Sequence, residues 1–316
     1  MNVQTFRSLT PNLLMDTLED CGFRPTGEYV QQNSYENRVF EILLEEGSRM
    51  APRLIVKVYR PGRWSRAQIL EEHQFTTELS EHGLTTAPPV ALIKNQTLGE
   101  TQGLLFAVFP KMQGRLLQEV NPEILTQLGR ILAQIHNVGQ TARSLARHRL
   151  DDNLNPLLTL QQWVAPEVWS RYEAAALAIL EELQDRLHPA SFLRIHGDFH
   201  RGNILHRGPG DWVIIDFDDF MVGPAIQDFW MLLSGENQTA ELDCLRTGYE
   251  ELREFPDGEI ELIPLLRGLR IMSYAAWIAR RWEDPVFPQL FPQFRDYVYW
   301  AEEVEALEKI AWRGTV

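Results

Sequence analysis

The residues best equipped for chemistry lie in two neighbouring stretches, His196-Gly197-Asp198-Phe199-His200-Arg201-Gly202-Asn203 and Ile214-Ile215-Asp216-Phe217-Asp218-Asp219. Each follows a short apolar run, 192–195 and 212–215, that reads as a strand. A strand that stops at a carboxylate holds that carboxylate still. Oxygen donors such as those of Asp198 and Asn203 suit a hard cation, magnesium above all, and the arrangement reads as a metal-phosphate site. A transition-metal site made of His196, Asp198 and His200 is the competing reading, but it leaves Asn203 and the strand-held Asp216 without work.

The elements that must position these residues can be read around them. Thr10-Pro11 opens a capped helix that closes at Gly22. Residues 29–32 and 38–44 read as a hairpin around the polar loop 33–37, and 54–59 as a buried strand with Lys57 in its middle. That loop is either an ordinary turn or a cradle offering backbone N–H groups and the Ser34 hydroxyl to phosphate. Ser65 caps a helix through Ile69, Leu70, Phe75 and Leu79 that carries Glu71 and Glu72. After Pro88-Pro89, a strand at 104–109 runs into Pro110-Lys111-Met112-Gln113-Gly114. Asn121-Pro122 starts a helix that reaches His136, residues 142–155 are charged and irregular, and 166–187 form an amphipathic helix. Three helical stretches follow, 240–255, 259–282 and 294–310, interrupted by Pro285, Pro288 and Pro292. Trp277, Trp282, Tyr297 and Trp300 lie among them, where core packing is the commoner use of such rings than lining an acceptor pocket.

Composition narrows the class. With 316 residues the chain exceeds one ordinary core, so two lobes are expected. A net charge of −14 gives no surface for neutralising phosphates and argues against nucleic acid as a partner. The N-terminal residues lack the basic-then-apolar pattern of a signal peptide, and no apolar run reads as long enough to cross a bilayer. A cytoplasmic monomer without membrane contact is the expectation. Cys21 and Cys244 suggest neither a disulfide framework nor a metal knuckle.

The pattern H-G-D-x-x-x-x-N, followed by a strand ending I-D-F-D, resembles the catalytic and metal-binding segments of the protein-kinase-like superfamily. With Gly197 in place of arginine it is similar to the aminoglycoside phosphotransferase and choline kinase branch. Together with 33–39, 56–61, 69–75 and 223–233 it resembles the bacterial stress response kinase A family, serine/threonine protein kinases on that fold. The likeness runs from about 33 to 292.

The resemblance implies a bilobal α+β fold: an antiparallel-sheet N-lobe at 1–110, a hinge at 111–114 and a mainly helical C-lobe at 115–316. It implies ATP and Mg2+ as cofactors and a protein Ser/Thr hydroxyl as acceptor. By the same resemblance Asp198 receives the acceptor proton, Asn203 and Asp216 hold metal, and Asp218 assists through water. Lys57, paired with Glu72 or, one register off, Glu71, holds the α and β phosphates. Ser34 lies against the phosphates, while backbone groups of Phe109, Lys111 and Met112 meet the adenine. His196 and Asp228 brace the catalytic loop. Small-molecule phosphorylation is the alternative activity. A regulator that has lost catalysis is disfavoured because Lys57, Asp198, Asn203 and Asp216 are all present. Between Asp216 and Pro224 there is no Ser, Thr or Tyr to serve as a phosphorylation switch.

Overall fold

A computed structural model describes residues 6–49, 52–153, 156–188, 190–234 and 238–313, so the irregular stretch 142–155 ends outside the described residues. Its strands are β1 (Pro25–Gln31), β2 (Arg38–Leu44), β3 (Arg53–Val58), β4 (Gly99–Thr101), β5 (Leu104–Pro110), β6 (Arg115–Leu116), β7 (Phe192–Ile195), β8 (Ile204–Gly208), β9 (Asp211–Ile214) and β10 (Met221–Pro224). Its helices are α1 (Pro11–Asp20), α2 (Arg66–Glu81), α3 (Pro122–Gly139), α4 (Leu157–Leu160), α5 (Pro166–Leu187), α6 (Gln227–Trp230), α7 (Gln238–Tyr249), α8 (Leu262–Arg280), α9 (Val286–Leu290) and α10 (Tyr297–Ala311). They fall into two compact units. One comprises Met1–Arg147, His196–Phe220 and Met231–Arg253; the other comprises His148–Ile195, Met221–Trp230 and Glu254–Val316.

The first unit is built on an antiparallel sheet of order β1-β2-β3-β5-β4. Alternation of side chains assigns its faces. Phe40, Ile42 and Leu44 of β2 and Leu54, Val56 and Val58 of β3 are buried with Leu14 and Leu18 of α1. The opposite face of β3 presents Ile55, Lys57 and then Tyr59, and Ile55 and Tyr59 pack with Ile69 of α2. The two helices start where their caps require. Thr10 Oγ1 accepts from Leu13 N at 3.2 Å, and Ser65 and Gln68 exchange a pair of capping bonds at 3.3 and 2.9 Å. The period-two pattern of β3 therefore carries Lys57 to the side where a well-started helix brings glutamates.

The same unit holds a smaller sheet of order β6-β8-β9, tied to the chain at 85–86 by Ile214 N donating to Thr85 O at 3.0 Å and by a bridge between Thr86 and Ile214. Helix α3 packs against α7 so closely that a Cβ on Gly129 would collide with the carbonyl of Leu245, and one on Gly248 with that of Thr126. Glycine is required at both positions by that approach.

The second unit is mainly helical, with α5, α8 and α10 packed together and β7 paired antiparallel with β10. Helix α8 corrects one expectation: in length and composition it is sufficient to cross a bilayer. More than half of it is buried within the protein, against α4, α5 and α10, which is the setting of a core helix.

Candidate active site

All the charged groups around Lys57 lie in the first unit. Its Nζ sits 3.6 Å from Glu72 Oε1, 3.2 Å from Asp216 Oδ1 and 3.6 Å from Asp218 Oδ1. The side chain is only 12% exposed and lies near the rings of Tyr59 and Phe109. Burial works to lower the lysine pKa, but the carboxylates of Asp216, Asp218 and Glu72 outweigh it and hold the ammonium well above its ordinary range. A permanently charged amine fixed by carboxylates on one side is suited to gripping phosphate on the other. Glu71 points elsewhere: its carboxylate accepts from the backbone N–H groups of Leu145, Ala146 and Arg147.

The loop after β7 is braced by its own histidines. His196 Nε2 donates to Ile215 O at 3.1 Å, and its Nδ1 accepts from Asp198 N at 3.3 Å. With both ring nitrogens on backbone groups, His196 is not available to a transition-metal trio with Asp198 and His200. Among the described residues no group of three His, Cys, Asp or Glu side chains gathers as a metal cage. His200 Nδ1 accepts from Gly202 N at 2.9 Å, and its Nε2 lies 3.3 Å from Asp198 Oδ2. Asn203 is buried, donating from Nδ2 to Asp198 O at 2.9 Å. Its own backbone carbonyl accepts from Ile215 N at 3.0 Å, which locks the loop to the segment that delivers Asp216.

Asp216 has left-handed backbone angles, φ 60° and ψ 68°, and a side chain that is 52% exposed. A non-glycine residue held there costs about 1–3 kcal/mol, and such strain clusters at functional sites. The donor set of Asn203 and Asp216 fits magnesium, which binds through one or two protein ligands together with substrate phosphates. Asp218 is different in kind. It is buried, its Oδ2 accepts from Arg63 Nη1 at 2.6 Å and Asn37 Nδ2 at 3.0 Å, and its carbonyl accepts from Arg147 Nη1 at 2.7 Å. Burial raises its pKa, yet Lys57, Arg63 and Arg147 with the Asn37 hydrogen bond bring it down to about 2. Side-chain donors from Arg63 and Asn37 converge on its Oδ2.

The remaining expected residues are spread more widely. Ser34 lies half-buried in the loop between β1 and β2, and that loop is pinned by Arg60, whose Nε and Nη2 donate to the carbonyls of Glu36 and Tyr35 at 2.9 and 3.1 Å. Phe109 ends the buried part of β5. Lys111 Nζ donates to Glu41 Oε2 at 2.7 Å, and Met112 follows it, half-buried. Asp228 is fully buried in the second unit, at the start of α6.

Residues 30–259 match the family model described as APH, the phosphotransferase enzyme family. Stress response kinase A of Escherichia coli (strain K12) is 40% identical over 310 residues, covering 95% of this chain and 92% of that protein. The chain belongs to the stress response kinase A family. A further relative, serine/threonine protein kinase RdoA of Salmonella typhimurium (strain LT2), is 38% identical over 313 residues, covering 96% and 92%. With the family comes the class of enzyme, a kinase. Among solved structures, amicoumacin kinase hAmiN in complex with AMP-PNP, Ca2+ and Ami matches with a TM-score of 0.78 at 19% identity, covering 98% of this chain and 96% of that one. The microcompartment-associated aminopropanol kinase matches at 0.70 and 17%, covering 96% and 95%. These likenesses establish the α+β protein-kinase-like fold.

Family motifs alone do not point to four members of the network: Asn37, Arg63, Arg147 and the capping role of Glu71. Asn37 lies within the family segment 33–39, next to the start of β2, and Arg63 two positions past the segment 56–61, but nothing in those segments marks either as a partner of Asp218. Arg147 gave none, because it comes from the irregular stretch and meets Glu72 across 75 positions of sequence.

Proposed function

We propose that this kinase transfers the γ-phosphoryl group of ATP, with magnesium, to serine or threonine hydroxyls of proteins, itself included, in a bacterial stress response. The observation that carries the reading is Lys57, held 3.2–3.6 Å from Glu72, Asp216 and Asp218 on the sheet face covered by α2, in a chain of this family. A loose transition state calls for positioning and charge neutralisation rather than covalent help. Lys57, steadied by Glu72, holds the α and β phosphates, and Ser34 covers them. Asp198 orients the acceptor hydroxyl and takes its proton as the oxygen–phosphorus bond forms and the bond to the ADP oxygen breaks. Asn203 and Asp216 are the residues that would hold magnesium, which when bound neutralises charge on the phosphate oxygens. His196 and Asp228 support the loop.

In functional terms the chain divides into an N-lobe at 1–110, a hinge at 111–114 and a C-lobe at 115–316. Backbone groups of Phe109, Lys111 and Met112 meet the adenine. We place the protein in the cytoplasm, as a monomer, without nucleic acid or membrane among its partners. The name of the RdoA relative supports a protein acceptor. A small-molecule acceptor is the second reading, favoured by the amicoumacin and aminopropanol kinases among the similar structures.

Transfer of label from γ-labelled ATP with magnesium separates the readings, using the protein alone and with a basic protein acceptor. Label on serine or threonine, lost in Asp198→Asn and Asp216→Ala, is the expected result. ATP binding without labelled protein would move the small-molecule acceptor ahead. A chain that binds no ATP would end both readings.

A further inference from the structure

Adjacent glutamates on α2 face in directions roughly 100° apart, and they do different work. Glu72 turns to Lys57. Glu71 grips the turn at 144–147: its carboxylate accepts from Leu145 N at 2.7 Å, from Ala146 N and Arg147 N at 3.0 Å each, and from the Ser144 hydroxyl. Ser144 Oγ in turn accepts from Arg147 N at 3.2 Å. Three successive N–H groups closing on one carboxylate make a rigid anion nest. Its product is the placement of Arg147.

Arg147 is wholly buried and uses all three guanidinium nitrogens on different acceptors. Its Nε donates to Gln68 O at 2.8 Å, Nη1 to Asp218 O at 2.7 Å and Nη2 to Glu72 Oε2 at 3.0 Å. Its face lies over the rings of Trp64 and Phe220, at 4.4 and 5.2 Å from their centroids. The guanidinium thus joins the body of α2, the carboxylate that Lys57 needs and the backbone of the segment that carries Asp216. Glu72 divides its oxygens, Oε2 to Arg147 and Oε1 towards Lys57.

We propose that Arg147, set by Glu71, is a positioning residue that fixes the Glu72 carboxylate and the 216–218 segment so that Lys57 meets nucleotide phosphates. Only a planar fork of donors spans three such acceptors, so lysine does not replace it. The inference rests on the reading of Lys57 as the phosphate-binding residue.

The test compares binding of ATP and of adenosine, with magnesium present, by calorimetry. Adenosine lacks the phosphates that Lys57 would grip, so the ratio of the two affinities reports on lysine placement and not on general loss of structure. Arg147→Met should weaken ATP binding roughly tenfold and leave adenosine binding unchanged, the size expected for a coupled contact network. Arg147→Lys should resemble it. Glu71→Gln should shift the ratio in the same direction by less. Because Glu71 acts through the arginine, the double variant should be no worse than Arg147→Met alone. An Arg147→Met protein with the wild-type ratio, or losses that simply add in the double variant, would overturn the proposal. Should Arg147→Met fail to fold, Glu71→Gln carries the test by the same ratio. A wild-type protein that binds ATP no tighter than adenosine would sink the reading of Lys57 itself, and that outcome is seen before any substitution is made.

Discussion

Two carboxylates in this chain, one buried and one half-buried, have been driven in opposite directions. Asp218, in the first unit, is held at about 2, and Glu303 of α10, in the second, is pushed up to about 7. Burial raises both. Around Asp218 stand Lys57, Arg63 and Arg147, with Asn37 donating a hydrogen bond, and these outweigh the desolvation. Around Glu303 burial is opposed only by a hydrogen bond with Tyr299, while neighbouring Glu302 adds to the rise. Its Oε2 is buried without a hydrogen-bond partner, as are Tyr172 Oη and Trp300 Nε1. The second unit is stabilised there by rings, with Trp300 at 5.0 Å from Phe294 and 6.0 Å from Tyr172 between centroids, and a lone carboxyl among them has little to meet. Desolvation sets the cost of a buried charge, and the neighbours decide its sign. The unit that holds the proposed active site is also the one that surrounds its buried carboxylate with cations.

The largest effect should come from breaking the matched site. Asp218→Ala leaves Arg63 with only Asp219 and the more distant Glu36, and removes one of three carboxylates from Lys57. Removing one partner of a buried ion pair typically costs about 3–5 kcal/mol, which urea unfolding would read directly. Acid supplies a second view of the same group. Its folded pKa of about 2 lies below the ordinary 3.8, so the stability it contributes is complete above 3.8 and is lost as pH falls through 2. Asp218→Asn should therefore remove part of the wild-type protein's loss of stability between those values. A variant as stable as the wild type at neutral pH, with the same acid profile, would mean that the cations merely tolerate Asp218.

How much of this was legible in the sequence differs between the two carboxylates. The strands and capped helices around Asp218 are local statements: the apolar run of β3 is plain around Lys57, and Ser65 and Thr10 mark where helices begin, while the partner of Lys57 comes from the family resemblance. The segments carrying Asp198, Asn203 and Asp216 stand out in the sequence because strand-held carboxylates and an amide at that spacing suit a metal-phosphate site. The choice between Glu71 and Glu72 does not, since one residue of helix turns the side chain to another neighbour and no local pattern says which neighbour is there. Arg147 was hidden for the same reason, its meaning residing in a contact 75 positions away. Glu303 stands in a run with Glu302, Glu305 and Glu308, a pattern that by itself suits a solvated helix face, although its Oε2 is buried on α10. The short strand β4 has too few residues to show alternation. The 196–220 segment clusters with the sheet-bearing unit rather than with its sequence neighbours, which chain order does not reveal.

A smaller and opposite effect is expected at Glu303. Its folded pKa of about 7 lies above the ordinary 4.5, so the folded state retains a proton that the unfolded chain releases. The stability this group contributes is then complete below 4.5 and is lost as pH rises through 7. Glu303→Gln keeps the shape and hydrogen-bonding capacity but has no proton to lose. Thermal unfolding at pH 5 and pH 8 should show a flatter profile for the variant, with a gain of about 1 kcal/mol over the wild type at the higher pH. If the variant declines between these values as the wild type does, some cation faces Glu303 in solution and the contrast with Asp218 is lost.

The smallest effect isolates pairing from burial. Arg171 and Glu308, on α5 and α10, form a two-pronged pair at 2.8 and 2.6 Å, a geometry as good as that of Arg63 with Asp218 and Asp219. The Arg171 side chain is 55% exposed, so water solvates the guanidinium whether or not the carboxylate is present. Exposed pairs contribute little once salt screening and the ordering of two long side chains are counted. Glu308→Gln should leave the urea midpoint within the scatter of repeated wild-type measurements at physiological ionic strength. A loss there comparable with that of Asp218→Ala would mean that geometry alone makes a pair strong. Indifference at Glu308 beside a large loss at Asp218 would assign the difference to the exclusion of water from the site around Lys57.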